Sequence, residues 1–317
     1  MTRSADDRMD IVFCGTPQFA VPTLQKLVKA GFKVHLVLTQ PDRPKGRGLG
    51  LVSSPVKQAA EELGLPIFQP ERIKQNEELR AKLGAIRPDA TIVVGYGRII
   101  PKWMLDLPRY GDINLHASLL PKYRGAAPMQ WAIANGETVT GVTTMRIDEG
   151  LDTGDILLQK EMPISPEDTT EALAPKLAAI GADLIIESLR RLQAGTLNPQ
   201  KQDNAQVSLA PILKKEDGRI DFGRSAQEIY NRFRGFQPWP GAFTSFRGRG
   251  LNVTAIKPVS EPVPPAQLLV RNDLVFVGCA NDSAIELLEV QPEGKKRISA
   301  RDFVHGYRPR TGERVGD

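Results

Sequence analysis

Short apolar runs alternate with amphipathic stretches through the first 195 residues. Asp10-Ile11-Val12-Phe13-Cys14 is one such run, closed by Gly15-Thr16-Pro17, and Phe19, Leu24, Leu27 and Val28 then recur at helical spacing up to Gly31. Residues 33–39 supply the next apolar run. Strand, helix, strand in that order predicts a right-handed βαβ unit and a parallel sheet. Residues 55–63 read as a helix, 66–69 as a short strand and 76–84 as a helix, and the near-continuous apolar stretch 89–95 reads as a strand buried on both faces. Ile113 to Leu115 follows a Gly-Asp turn and predicts another strand, whose period of two points Asn114 and His116 the same way. Pro121 and Gly125 break the chain just beyond, which places both side chains at the strand's carboxyl end, where open α/β sheets bind ligands. Apolar positions 173, 177, 180, 184, 185 and 189 predict a long helix over 169–195 despite Pro175 in its early turns.

The second half has a different rhythm. Proline, glutamine and asparagine dominate 196–213, as in a linker. A helix over 226–233 is followed by short runs at 242–246, 251–257, 268–271, 274–279 and 284–290, each bounded by turn residues. Five short strands in about 50 residues predict a small barrel of the OB type, a fold that commonly binds nucleic acid. The expected organisation is therefore α/β: a Rossmann-like, mostly parallel sheet domain over 1–195, a linker over 196–214, and an OB-like β-barrel domain over 215–317. Phe236 and Trp239 lie among prolines beside the helix, a setting that favours core or interdomain packing over base stacking.

A chain of 317 residues can bury two cores, in keeping with that division. No apolar run approaches the roughly 20 residues a membrane helix needs. The first ten residues hold three aspartates and no apolar core, which argues against a secretory signal or an Arg-rich transit peptide and gives a cytoplasmic expectation. Cys14 and Cys279 are the two cysteines and neither sits in a Cys-x-x-Cys pair, so both read as small buried hydrophobes and no zinc site is expected. The net charge is +5, and residues 201–317 hold 18 Lys and Arg against 14 Asp and Glu. That surplus suits a polyanionic partner and equally a solvated surface. The first strand-to-helix turn lacks G-x-G-x-x-G, which argues against a dinucleotide cofactor. His35 lies within an apolar strand and reads as structural. Residues 40–50, dense in proline, glycine and positive charge, predict an exposed, mobile loop. Lys295-Lys296-Arg297 fits either a solvated turn or a phosphate contact.

The candidate chemistry gathers between Gly111 and Leu157. An amide at Asn114 and an imidazole at His116 are followed, 36 residues after the histidine, by the carboxylate of Asp152 in a glycine-bounded loop. His116 alone would read as a satisfied core histidine; with Asn114 and Asp152 beside it in the positions of the family signature that follows, the three resemble a reacting centre. Asn114-Leu115-His116-Ala117-Ser118-Leu119-Leu120-Pro121 followed by Leu151-Asp152-Thr153-Gly154-Asp155-Ile156 resembles the signature of the 10-formyltetrahydrofolate-dependent formyltransferases. The resemblance runs from Phe13–Ala20 to Gly294–Phe303, and within the family it is strongest to members whose acceptor is initiator methionyl-tRNA.

The resemblance implies 10-formyltetrahydrofolate as formyl-donating co-substrate, no metal, initiator methionyl-tRNA as partner, and Asn114, His116 and Asp152 as the catalytic set. In that chemistry an amine attacks the formyl carbon and charge develops on the formyl oxygen. Asn114 and a protonated His116 would form a side-chain oxyanion hole, and Asp152 would hold the imidazole and relay a proton. The family's pterin pocket matches Gly95, Tyr96, Gly97 and Ile99, a segment that by itself reads as an ordinary tight turn, together with Ser118, Leu119, Leu120 and Pro121 of the folate loop. Its tRNA contacts match Arg43, Lys45 and Arg47 in the basic loop, and Lys214 and Lys215 at the end of the linker. Leu49-Gly50-Leu51 departs from the lysines the family often carries there. A monomer is expected. The competing readings are a formyltransferase acting on an amino-sugar nucleotide and a catalytically idle RNA-binding protein.

Overall fold

A computed structural model describes residues 9–45 and 50–316, which form two compact units. The first comprises residues up to 128 with 139–163 and 174–210; the second comprises 129–138, 164–173 and 211 onward. In chain order the first half contains β1 (Asp10–Gly15), α1 (Val21–Lys29), β2 (Lys33–Leu38), β3 (Arg43–Lys45), β4 (Gly50–Val52), α2 (Pro55–Glu62), β5 (Ile67–Phe68), α3 (Glu77–Ile86), β6 (Ala90–Val94), α4 (Lys102–Leu105), β7 (Asp112–His116), α5 (Pro128–Ala134), β8 (Val139–Arg146), β9 (Ile156–Pro163) and α6 (Thr170–Gln193).

The first unit is built on a seven-stranded sheet in the order β5-β2-β1-β6-β7-β8-β9. Strands β5 to β7 pair in parallel, and β8 and β9 add antiparallel partners at one edge. From β1 the chain runs outward through β2 to β5, then returns to the other side of β1 at β6. That reversal is a topological switch point, and the carboxyl ends of β1 and β6 flank it. Thr16 Oγ1, just past β1, donates to the Tyr96 carbonyl just past β6 (3.1 Å), tying the two ends together. Val12, Cys14, Leu36, Leu38, Leu79 and Val93 pack into one apolar cluster on this sheet. Helix starts follow side-chain caps: Ser54 accepts from Lys57 N and Asn76 from Leu79 N, each satisfying a backbone donor of the first turn.

The second unit carries α7 (Ala226–Gly235), β10 (Ala242–Phe246), β11 (Arg249–Val259), β12 (Leu268–Arg271), β13 (Leu274–Cys279), β14 (Ser283–Pro292), β15 (Ile298–Ser299) and α8 (Ala300–Tyr307). Its antiparallel sheet runs β10-β11-β14-β13-β12, with β15 on β14. Residues 312–316 join the two edges: Val315 N donates to Ala266 O (3.0 Å) beside β12, and Gly316 N donates to Ser245 O (2.9 Å) on β10. Strand closure of this kind removes exposed edges. Phe222, Ile229, Phe246, Val253, Ile285 and Phe303 fill the enclosed core.

Several local expectations change. The basic stretch is an antiparallel ribbon at its base, Arg43 pairing with Val52 and Lys45 with Gly50, and a two-stranded ribbon tolerates Pro44 because one side of each strand needs no N–H. Strands β8 and β9 escaped the sequence reading because their threonines and charges blur the alternation. Phe236 is buried and meets Trp131 edge-on at 5.3 Å, but Trp239 is 55% exposed and is not core. His35 Nε2 bonds Asp10 Oδ1 (2.7 Å), a structural role. Cys14 and Cys279 are both buried free thiols.

Candidate active site

Asn114 and His116 lie two residues apart at the carboxyl end of β7, opposite Met145 and Thr143 of β8. Asn114 is half-buried and His116 is 5% exposed. The imidazole is hydrogen-bonded at one nitrogen and faces a carboxylate with the other. Nε2 lies 2.9 Å from the Tyr123 carbonyl, and since a carbonyl only accepts, Nε2 carries a hydrogen and donates it. Nδ1 faces Asp152 Oδ2 at 3.7 Å. The same carboxylate oxygen accepts the Gly125 N–H at 2.9 Å. One ring nitrogen is thus committed to the backbone, and the other looks across a short gap at a carboxylate.

Asp152 reaches this place from the connection between β8 and β9. Asp148 Oδ1 folds that connection by accepting from Gly150 N (3.0 Å) and Thr153 Oγ1 (2.7 Å). Asp152 itself adopts a left-handed backbone, φ +52°, a conformation Asp tolerates better than most residues. Tyr123, whose carbonyl receives His116, is also left-handed at φ +61°. Its N–H donates to Ser208 Oγ (2.9 Å).

The loop after β7 is fixed by polar groups of β8 and β9. Thr143 Oγ1 donates to the Ser118 carbonyl (2.7 Å) and accepts from Leu120 N (3.1 Å), while Gln159 Nε2 donates to the Leu120 carbonyl (2.8 Å). Ser118 is fully buried and its hydroxyl donates to the Lys122 carbonyl (2.7 Å). Its side chain shapes the loop and does not reach the surface. Leu120 is buried as well, whereas Leu119 and Pro121 are partly exposed.

The segment at the switch point is arranged differently from the simplest expectation. Gly95 and Gly97 have φ +56° and +74°, but a Cβ at either would come within 2.8 Å of Pro17 or 2.6 Å of Gln40, so the chain's own packing already demands glycine. The Tyr96 side chain points into the core with 1% exposure, and burial raises the pKa of its phenol. Tyr96 therefore offers a ligand its backbone only. Ile99, in contrast, is 92% exposed. Arg43 is exposed in the β3–β4 ribbon, Lys45 ends β3, and Arg47 lies outside the described residues. Lys214 and Lys215 are exposed at the start of a short 3-10 turn in the second unit.

Sequence reasoning missed the residues that hold the site: Tyr123, Arg124, Gly125, Thr143, Gln159 and Gln202. Tyr123 and Gly125 act through the backbone, which leaves no mark in a side-chain pattern. Among the described residues no group of three His, Cys, Asp or Glu side chains is placed to hold a metal ion.

Comparison with known proteins agrees with this architecture. The formyl transferase family matches residues 9–189, and the formyl transferase C-terminal domain matches 212–308. The methionyl-tRNA formyltransferase of Koribacter versatilis is 63% identical over 308 residues, 97% of this chain and 99% of that protein. That of Acidobacterium capsulatum is 61% identical over 300 residues, covering 94% and 96%. Among solved structures the sugar 3N-formyl transferase WlaRD, crystallised with dTDP and 5-N-formyl-THF, shares the fold with a TM-score of 0.66 at 21% identity, over 92% of this chain and all of that one. With matches of this length and identity, the chain belongs to the methionyl-tRNA formyltransferase family.

Proposed function

We propose that this chain transfers the formyl group of 10-formyltetrahydrofolate to the free amino group of methionyl-initiator tRNA. The observation that carries the reading is the His116–Asp152 pair at the carboxyl end of β7 beside the half-buried amide of Asn114. The co-substrate supplies a formyl carbon on N10 that an amine can attack. Asn114 offers two amide hydrogens to the formyl oxygen as charge develops there, and removing such a donor costs about 10² to 10³ in rate. His116 has its Nε2 hydrogen committed to the Tyr123 carbonyl, so Nδ1 is the nitrogen left to exchange a proton. Asp152, 3.7 Å away, stabilises the imidazolium that results. The division of labour differs from a two-donor oxyanion hole: the amide stabilises the oxygen, and the histidine–aspartate pair takes the proton of the attacking amine and returns it to N10 as the bond from the formyl carbon to N10 breaks, leaving tetrahydrofolate.

The donor suits the chemistry of the surrounding groups. A flat heterocycle with an amide edge calls for apolar surface beside backbone donors and acceptors. Ile99, Leu119 and Pro121 supply exposed or partly exposed apolar surface. The Tyr96 and Gly97 carbonyls already accept from Thr16 and Gln40, so in this reading the polar edge of the 95–97 segment is its backbone N–H groups. Residues 1–195 carry the chemistry in this reading, and 215–317 hold the tRNA after the linker 196–214. Arg43, Lys45, Arg47, Lys214 and Lys215 contact its phosphates. In this reading the chain acts as a monomer in the cytoplasm.

The test offers labelled 10-formyltetrahydrofolate with initiator methionyl-tRNA and, separately, with an amino-sugar nucleotide at the same moderate salt. Label on the tRNA is the expected result. Label on the sugar alone would reassign the acceptor, and tRNA binding without any transfer would leave an RNA-binding protein.

A further inference from the structure

The polar stretch 200–210 looks like solvent-facing chain in the sequence, yet it is bonded to both loops of the candidate site. At one end Gln200 exchanges two backbone hydrogen bonds with Ile156 at the start of β9, each 2.8 Å. At the other, Arg124 N donates to Ser208 O (2.9 Å) and Ala210 N donates to Arg124 O (2.7 Å). Between these anchors sits Gln202. Its Nε2 donates to the Asp152 carbonyl and the Gly154 carbonyl, both at 2.8 Å. Its Oε1 accepts from Arg124 Nε (3.0 Å) and Nη2 (2.8 Å).

The orientation of that amide follows from its partners. Carbonyls only accept and a guanidinium only donates, so the nitrogen must face Asp152 and Gly154 and the oxygen must face Arg124. All four hydrogen-bonding positions of one side chain are filled, and they join the loop that carries the His116 acceptor to the loop that carries Asp152. Asp152 needs such a hold. Its backbone is left-handed, a conformation that persists in non-glycine residues when the surroundings over-determine it. Its carboxylate must remain within 3.7 Å of Nδ1 while bonded to Gly125 N.

We propose that Gln202 is a positioning residue for formyl transfer: it fixes the backbone of Asp152 and thereby the His116–Asp152 pair. The proposal rests on the reaction assigned above. Gln202 acts through Asp152 and touches neither substrate in this reading, so its loss lowers turnover and leaves binding intact.

The test uses the full chain with 10-formyltetrahydrofolate and initiator methionyl-tRNA, and the variants Gln202→Ala, Gln202→Glu, Asp152→Asn and the Gln202→Ala/Asp152→Asn double. Gln202→Ala is expected to lower kcat by about 10- to 100-fold with both KM values within about threefold. Gln202→Glu keeps the Arg124 contact and loses both N–H donors, so it falls as far as Gln202→Ala. In the Asp152→Asn background the second substitution costs less than about threefold, because the residue it positions is already disabled. Unchanged kcat, a loss confined to KM, or fully additive losses would overturn the proposal. A readout independent of turnover comes from the ring-nitrogen NMR shifts of the three histidines. His116 should move in Gln202→Ala toward its position in Asp152→Asn while His35 and His305 stay in place. A still His116 overturns the proposal, and movement of all three assigns the effect to the fold and overturns it too. If the wild-type chain transfers no formyl group, the assigned reaction fails, while the histidine spectrum still decides whether Gln202 governs the pair.

Discussion

Two carboxylates stand at opposite ends of β7. At the amino end Asp112 is 2% exposed, and no hydrogen bond of ordinary geometry reaches either oxygen. Burial pushes its carboxyl up to about 7, with the nearby Thr91 hydroxyl working the other way. At the carboxyl end Asp152 is partly exposed, takes the Gly125 N–H and faces an imidazole. The two ends are separated by four residues of strand, about 13 Å. A strongly perturbed carboxyl is the usual flag for a reacting group. In the proposed reading it marks the wrong end: Asp112 is buried with the Thr91 hydroxyl alone working against that burial, whereas Asp152 has a hydrogen-bond donor, access and the imidazole that this reading assigns to proton exchange.

The sharpest way to break the comparison is at the carboxyl end. His116→Ala should lower kcat by about 10² to 10⁴-fold while retaining tRNA affinity, measured by single-turnover formylation and by filter binding. Full turnover would remove the imidazole from the chemistry. At the amino end the expected effect is on stability alone. The folded Asp112 holds its proton up to about pH 7 and the unfolded one releases it near 3.8, so stability falls as pH rises between those values. Asp112→Asn removes that decline. Urea unfolding should find the variant more stable than wild type at pH 8 by on the order of 1–3 kcal/mol, with the margin vanishing near pH 4 and kcat unaltered. A variant less stable than wild type at pH 8 would show that the carboxylate is stabilised by something other than its immediate neighbours.

Smaller effects sharpen the picture. Ser208→Ala strips the Tyr123 N–H of its acceptor at a cost of about 1 kcal/mol, loosening the carbonyl that receives His116. A fall in kcat of about three- to tenfold, with KM unmoved, is expected. Arg43→Ala, in the exposed ribbon, should raise the KM for tRNA by roughly three- to tenfold and reduce the salt slope by about one, without touching the KM for folate. An unchanged salt slope would take that arginine off the RNA.

Particular residues show how much was legible beforehand. The apolar run at 10–14 and the helical spacing after it led directly to β1 and α1, and the period of two put Asn114 and His116 on one side of β7. The five short strands of the second half were found in order, but the closing segment 312–316 was not, because its bonds to Ala266 and Ser245 come from backbone groups. In the basic stretch the exposure of Arg43 and Pro44 follows the expectation, whereas the pairing of Arg43 with Val52 left no mark in the pattern.

Local physics resides in the sequence, and that is what the sequence determined: which stretches pleat or coil, where glycine and proline stop them, and which three polar side chains accompany the breaks. Tertiary structure decided which nitrogen of His116 is free, why Asp152 holds a left-handed backbone, and that a glutamine 50 residues beyond Asp152 bonds its carbonyl. Those decisions fall to backbone amides and carbonyls that every residue carries alike. Only the meeting of distant segments selects which of them will act.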